Sequence, residues 1–440
     1  NLMTRNKQSM FSIAEKILAY IRAVPLTEFD DAVFNELALE LFRHQTEKNA
    51  VYRGICEQQG VTPARITSWR DIPAVTTSAF KAVALTCFPP QEAVAVFHTS
   101  GTTQKRPGKH YFRTLEFYRT AMLRSFAAYC LDRQLDATHG ANTETMHAPS
   151  KDVIPEESFY NSRQSFENKK DSFGMTFSFS VGKIARMRLF FLGPTAEYFP
   201  NSSLGYMFSE IRKEFGDQAS AVFFSPQGVD TEGFQGALAK ASQESTPVFI
   251  LGTALALLEC MEKFAQAGQK FHLPPGSRIL DTGGYKGRQI ELSREEFQHQ
   301  LSETFGVPQE YLLNEYGMTE LSSQFYASAL PGIPSLAKRR AQSAEGRASS
   351  SALPSEPCFQ HCLPPWVRVH AVDPETLEIL PEGESGLLRI FDLANVDSVL
   401  AIQTEDLGRA WQDRIELLGR ATGAELRGCS LLTEAVARNA

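Results

Sequence analysis

Phe97-His98-Thr99-Ser100-Gly101-Thr102-Thr103-Gln104-Lys105-Arg106-Pro107-Gly108-Lys109-His110 ends a short apolar run, residues 93–97, that reads as a β-strand. Hydroxyls and a glycine gather at the strand's end, and three cations, Lys105, Arg106 and Lys109, follow within five residues. Closely approaching N–H groups, hydroxyl donors and positive charge are the mixture that phosphate selects. The stretch is not a Walker A loop. Six residues (102–107) separate Gly101 from Gly108-Lys109, and His110 stands where that motif has Ser or Thr. A polar surface turn would account for the glycines but not for the run of hydroxyls.

The same punctuation recurs along the chain. Residues 248–251 run into Gly252 and a helical stretch from Ala254 to about Gln266. Residues 278–280 lead into Asp281-Thr282-Gly283-Gly284, and residues 311–313 into Asn314-Glu315-Tyr316-Gly317. Ser293 and Glu296 have the spacing of a capping box, opening a helix through Phe297 and Leu301. Strands alternating with helices, with loops at the strand ends, predict an α/β architecture that binds ligands at the strand termini. Upstream, the first ninety residues read as mainly helical. Phe11, Ala14, Ile17, Leu18 and Ile21 share one face before Pro25, Phe34, Leu37, Leu41 and Phe42 share another, and Gly60 and Pro63 end the pattern. Downstream, residues 381–430 read as turn, strand (386–391), strand (397–402), turn, strand. Residues of about 142–183 and 334–357, the latter with Lys338-Arg339-Arg340, are polar, aperiodic and read as solvated insertions.

Composition sets the outer bounds. The 440 residues carry 44 basic and 51 acidic side chains, 44 − 51 = −7, so no general basic field invites nucleic acid or an anionic membrane. With 42% apolar and 10% aromatic residues the chain can bury a sizeable core. Its length suits two or three domains, or one large domain with subdomains. No apolar run reaches the roughly 18–20 residues that span a bilayer. The first ten residues resemble neither a signal nor a transit peptide. Seven scattered cysteines, an odd number, predict free thiols in a reducing, cytoplasmic compartment. Cys358 and Cys362 flank His361, but no second ligand pair follows, so the trio is not read as a zinc site.

Two further constellations carry chemistry. In Asn314-Glu315-Tyr316-Gly317-Met318-Thr319-Glu320, Tyr316 offers a ring to stack on a nucleobase and Gly317 lets backbone approach. Glu320 offers an oxygen to Mg²⁺. In Gln403-Thr404-Glu405-Asp406-Leu407-Gly408, with Arg420 beyond, a carboxylate and a guanidinium suit a ribose diol, although a plain surface turn fits equally on local grounds.

The three motifs, in this order, resemble the adenylate-forming (acyl-activating, AMP-binding) superfamily, whose loops read Thr-Ser-Gly-Thr-Thr-Gly, Tyr-Gly-x-Thr-Glu and Thr-x-Asp-Leu-Gly. Within it the chain is similar to the LuxE-type acyl-protein synthetases. That resemblance is carried by Asp281 to Gly287, Asn314 to Glu320, Phe391 to Asn395 with Asp397-Ser398, Gln403 to Gly408, and Glu425 to Leu431. It covers most of the chain from about Ser12 to Leu432, apart from the two insertions.

The resemblance implies the large N-terminal domain of the adenylate-forming fold: subdomains with mixed sheets flanked by helices, plus a small β-rich subdomain. Residues 1–90 would be a helical lead-in packed on the main domain, 91–418 the acyl-activating domain, and 419–440 a short tail, with the C-terminal lid absent or truncated. Thr99, Ser100, Gly101, Thr102 and Thr103 would cradle the phosphates of ATP, with Lys105 or Lys109 adding charge. Gly283 and Gly284 would line the adenine pocket, Tyr316, Gly317 and Thr319 would contact the nucleotide, Glu320 would hold Mg²⁺, and Asp406 with Arg420 would bind the ribose. Gln104 departs from the family's glycine, which leaves open which lysine reads the phosphate. Lys286 is a candidate substitute for the lid's lysine, or an exposed turn residue. His98 either orients the loop or the carboxylate, or packs beneath the strand end.

Cys429 matches the cysteine that, in LuxE-type enzymes, accepts the acyl group and passes it to a partner acyl reductase. Arg427 nearby would favour its thiolate; the alternative is a buried structural thiol. The expected activity is ATP-dependent activation of a fatty or other hydrophobic acid, then thioester formation on Cys429. The alternatives are a coenzyme A or carrier-thiol ligase of the phenylacetate-ligase type, and a non-catalytic nucleotide- or acyl-binding protein.

Overall fold

Ser12 accepts a hydrogen bond from the Glu15 N–H, and Glu15 reaches back to the Ser12 N–H. This reciprocal cap opens α1 (Ile13–Ala23), whose Ile17 and Ile21 face inward as the spacing predicts; Ile13 is buried with them, whereas Ala14 and Leu18 are only half-buried. Asp30 caps α2 (Asp31–Lys48) and Asn49 caps α3 (Ala50–Gln58), and Gly60 turns the chain at φ +69°. The computed structural model describes residues 12–99, 107–131, 186–283, 292–330 and 360–421; the expected insertions, and Cys429, lie outside them.

After β1 (Val75–Thr76) and α4 (Ala79–Ala82), β2 (Ala95–His98) pairs antiparallel with β3 (Lys109–Phe112), and α5 (Glu116–Cys130) follows. The chain continues through β4 (Arg188–Leu192), α6 (Ser203–Phe215), β5 (Ala221–Val222) and the small hairpin of β6 (Phe224–Ser225) and β7 (Gly228–Val229). Then come α7 (Thr231–Gln243), β8 (Val248–Thr253), α8 (Ala254–Gln266), β9 (Arg278–Thr282), α9 (Arg294–Phe305) and β10 (Leu312–Tyr316). The last strands are β11 (Phe325–Ala327), β12 (Gln360–Cys362), β13 (Val367–Val372), β14 (Ser385–Asp392), β15 (Ala401–Trp411) and β16 (Arg414–Arg420).

Among the described residues twelve strands form one mixed sheet, ordered β13-β14-β15-β16-β12-β11-β10-β9-β8-β4-β5, with β1 joined to β15. From β5 to β10 the neighbours are parallel; from β10 to β13 they are antiparallel. The parallel half reads as continuous apolar runs because helices cover it, and β8 is buried from Val248 to Gly252. Its core joins Ile250 and Ile279 to Phe234, Leu257, Phe264 and Phe305. The lead-in helices pack on the antiparallel half, where Ile17, Phe34, Phe42 and Trp69 meet Ile390, Phe391 and Ile402. Trp69 lies flat on His370 of β13, with ring centroids 4.8 Å apart. The predicted α/β architecture of mixed sheet and helices is therefore present. No helix among the described residues is long and apolar enough to cross a membrane.

Two local expectations change. The turn expected at 403–408 is the interior of β15, which runs unbroken for 11 residues. Gly408 is required by close strand approach, not by a turn. A Cβ there would lie 2.5 Å from the Glu416 carbonyl, where the register with β16 shifts. Likewise, Asn314 to Tyr316 belong to β10 itself, paired with Asp281 and Thr282 on one side and β11 on the other. The lead-in also contributes β1, whose Val75 pairs with Ile402.

Candidate active site

The phosphate-loop stretch leaves β2 and returns on β3. Its mouth is closed by Thr99, whose N–H donates to the Gly108 carbonyl at 2.9 Å and whose Oγ1 accepts from the Gly108 N–H at 2.8 Å. A Cβ on Gly108 would meet the Thr99 side chain at 3.0 Å, so a glycine suits this closure. Lys109 pairs across the hairpin with His98. The His98 N–H donates to the Asn201 carbonyl at 2.8 Å, just before α6. Burial, and then Lys109, hold the His98 imidazole below its ordinary pKa, which suits a neutral ring. Ser100, Gly101, Thr102, Thr103 and Lys105 lie outside the described residues, as do Gly284, Lys286 and Cys429.

The second motif reaches the first through Thr319. Its Oγ1 donates to the His98 carbonyl at 3.3 Å, and its own carbonyl lies 2.8 Å from His110 Nδ1. The second motif reaches the third through Tyr316, at the end of β10. The Tyr316 hydroxyl donates to Asp406 Oδ2 on β15 at 2.8 Å. Burial, and then the Asp406 charge, push the phenol well above its ordinary pKa, so it stays a donor. Asp406 sits opposite Arg420 on β16, whose Nε is 3.6 Å from Asp406 Oδ1, while Arg420 Nη2 is 3.4 Å from Glu405. Gly283 follows β9 at φ +73°, a conformation that favours glycine. Gly317 sits so tightly on Glu315 that a Cβ would fall 2.3 Å from Oε1. Thus His98, Thr99, Lys109, Tyr316, Gly317, Thr319, Glu320, Asp406 and Arg420 are linked by short contacts or adjacent positions.

The sequence reading missed a layer of buried polar side chains beneath these loops. Asp392 accepts from the Ser322 N–H (3.0 Å), the Ser323 hydroxyl (2.8 Å) and the Ala394 N–H (2.9 Å). Asn314 Nδ2 donates to Asp281 Oδ2 at 2.6 Å, and Asn314 Oδ1 is 2.7 Å from His361 Nε2. Thr282 Oγ1 donates to Glu315 Oε2. Burial, with Asp281 nearby, raises the Glu315 pKa to about 7. Polar residues inside strands that otherwise read as apolar were the available signal.

Among the described residues no group of three or more His, Cys, Asp and Glu side chains could cage a metal ion. Glu320, 7% exposed, offers one carboxylate at the end of the second motif, and Mg²⁺ needs only one or two, completing its shell with phosphate oxygens and water.

No family model matches the chain. The architecture recurs in a solved 2-hydroxyisobutyryl-CoA ligase in an open conformation with 2-HIB-AMP and CoA. The TM-score is 0.54 at 13% identity, over 91% of this chain and 77% of that one. The same ligase in its thioesterification state gives 0.53 at 13% identity, over 91% and 70%. The chain has the fold of the adenylate-forming ligases.

In sequence it is 24% identical over 257 residues to the long-chain-fatty-acid–luciferin-component ligase of Vibrio harveyi, covering 56% of this chain and 59% of the relative. It is 26% identical over 165 residues to the ligase of that name from Aliivibrio fischeri, covering 35% and 36%. The chain thus spans less than two thirds of the length of these curated relatives. Its resemblance to the LuxE-type enzymes is borne out by them.

Proposed function

We propose that this chain uses ATP to activate a fatty or other hydrophobic carboxylic acid, takes the acyl group onto Cys429, and yields it to a partner acyl reductase in the cytoplasm. The observation that carries the reading is the joining of the three motifs through Thr319–His98 and Tyr316–Asp406. Residues 91–418 would form the activating body, with 1–90 packed on it and the tail of 419–440 carrying the thiol.

In the first step a substrate carboxylate oxygen attacks the α-phosphorus of ATP in line. The bond to the bridging oxygen breaks, and pyrophosphate leaves. Thr99 to Thr103, with Lys105 or Lys109, would hold the departing phosphates, and Gly283 and Gly284 would admit the adenine beside Tyr316. Asp406 would accept from the ribose hydroxyls, with Arg420 and the Tyr316 hydroxyl fixing its direction. Glu320 would hold Mg²⁺, which supplies charge neutralisation on the phosphates when bound. Positioning and charge neutralisation supply the acceleration. In the second step the Cys429 thiolate attacks the acyl carbon, the carbon–oxygen bond to the phosphate breaks, and AMP leaves. Four of the described thiols are poor candidates: burial raises Cys56, Cys87 and Cys260 to about 12 and Cys130 well above its ordinary value.

The test uses labelled fatty acid with MgATP. A hydroxylamine-sensitive label should appear on the protein, and Cys429→Ser should abolish it while ATP–pyrophosphate exchange survives. Label retained in the variant refutes the role of Cys429. Acyl-CoA released on adding coenzyme A, independently of Cys429, would instead assign a coenzyme A ligase. ATP binding without pyrophosphate release would assign a non-catalytic protein.

A further inference from the structure

Glu320 lies in a tight turn in which the Leu321 N–H donates to the Met318 carbonyl at 3.1 Å. Such a turn engages only the first carbonyl through its own hydrogen bond, and the two central ones, here of Thr319 and Glu320, are engaged from outside it. Both residues are buried, so those carbonyls need donors from elsewhere. Two side chains distant in sequence supply them. His110 Nδ1 meets the Thr319 carbonyl at 2.8 Å across 209 residues, and Asn395 Nδ2 donates to the Glu320 carbonyl at 3.0 Å across 75 residues. His110 is 2% exposed and Asn395 1%.

Resting on the proposed role of Glu320, we infer that His110 and Asn395 are positioning residues that together aim its carboxylate. The stereochemistry is direct. One carbonyl belongs to the peptide plane before the Glu320 Cα and the other to the plane after it. A residue's φ and ψ are the rotations of those two planes, so fixing both carbonyls fixes the direction of the Cα–Cβ bond. A carbonyl only accepts, so His110 carries its proton on Nδ1. Its ring is held at 4.2 Å from Phe112 and 5.6 Å from Phe80, centroid to centroid, which prevents it from swinging away. Asn395 is fixed in turn: its side-chain Nδ2 also lies 3.3 Å from the Val399 carbonyl, and its backbone carbonyl accepts from Gln45 Nε2 at 2.8 Å. Magnesium demands near-octahedral geometry, so a ligand aimed wrongly loses much of its value.

The test measures ATP affinity by calorimetry across a Mg²⁺ titration and in EDTA, with thermal unfolding as the check on folding. His110→Phe keeps an aromatic ring and loses the donor; Asn395→Leu loses the other donor at similar volume. Each should raise the Mg²⁺ concentration for half-maximal effect by about tenfold or more, the loss typical when a ligand's supporting hydrogen bond is removed. ATP affinity in EDTA should be unchanged. His110→Asn, which returns an N–H near the Nδ1 position, should recover most of the loss. Unchanged Mg²⁺ dependence in both donor-less variants overturns the clamp. So does an equal loss of affinity with and without the metal, or ATP binding to the parent protein that ignores Mg²⁺. If the variants respond as expected but no acid supports pyrophosphate exchange, the clamp stands and acid activation falls.

Discussion

Replacing Glu315 by Gln should stabilise the protein at alkaline pH far more than at acid pH. Glu315 is 5% exposed, receives a hydrogen bond from Thr282 and lies near Asp281. Burial outweighs the Thr282 bond and raises its pKa from 4.5 to about 7. A carboxyl raised in this way is neutral in both folded and unfolded chains below its unfolded pKa. As pH rises, the unfolded chain loses its proton first, so stability falls by about 1.4 kcal/mol per pH unit until the folded pKa is reached. The cost is about 1 kcal/mol at pH 5 and about 3 kcal/mol at pH 8. Glutamine keeps the shape and the acceptor for Thr282 but cannot ionise.

Urea unfolding of parent and variant at pH 5 and pH 8 reads the difference, about 2 kcal/mol more stabilisation at the higher pH. A variant whose gain is the same at both pH values would refute the argument that Glu315 is held as a neutral acid. Retention of so costly a carboxyl one residue from Tyr316 fits a site whose local chemistry outweighs stability.

Two other perturbations follow from the same geometry. Tyr316→Phe removes the 2.8 Å bond to Asp406 and should cost about 1–2 kcal/mol in urea unfolding, with weaker ATP binding by calorimetry because Asp406 loses one of its two restraints. Asp392→Ala leaves the Ser322 and Ala394 N–H groups and the Ser323 hydroxyl without their acceptor, and should cost about 3–5 kcal/mol by the same measurement. Loss below about 1 kcal/mol in the second case would show that the loop after Glu320 is held by something else.

Elements with their own local logic were legible in the sequence. The Ser293–Glu296 capping box opens α9, α8 runs from Ala254 to Gln266, and Ile17 and Ile21 face the core from α1. What failed was punctuation read without neighbours. Asp406 and Gly408 look like turn residues, yet β14 and β16 satisfy the backbone on either side, and Gly408 answers to the Glu416 carbonyl of the next strand. Glycine meets both needs, and only the pairing distinguishes them. The contribution of β1 was equally hidden, because two residues have no period to read.

The site divides along the same line. Thr99, Tyr316 and Glu320 stand in short runs whose residue types already suit phosphate, base and metal, while the run of Asp406 suits a ribose or a surface turn equally and gains its reading from its order after the other two. His110 and Asn395 contribute only an N–H at a particular point in space. Serine, glutamine or lysine could offer a donor as well, and the distances in sequence, 209 and 75 residues, carry no pattern. A ligand is specified by its chemistry and is therefore visible in composition. A support is specified by where the fold delivers it, and it becomes visible only when the turn holding Glu320 is seen to bury two carbonyls that it cannot satisfy itself.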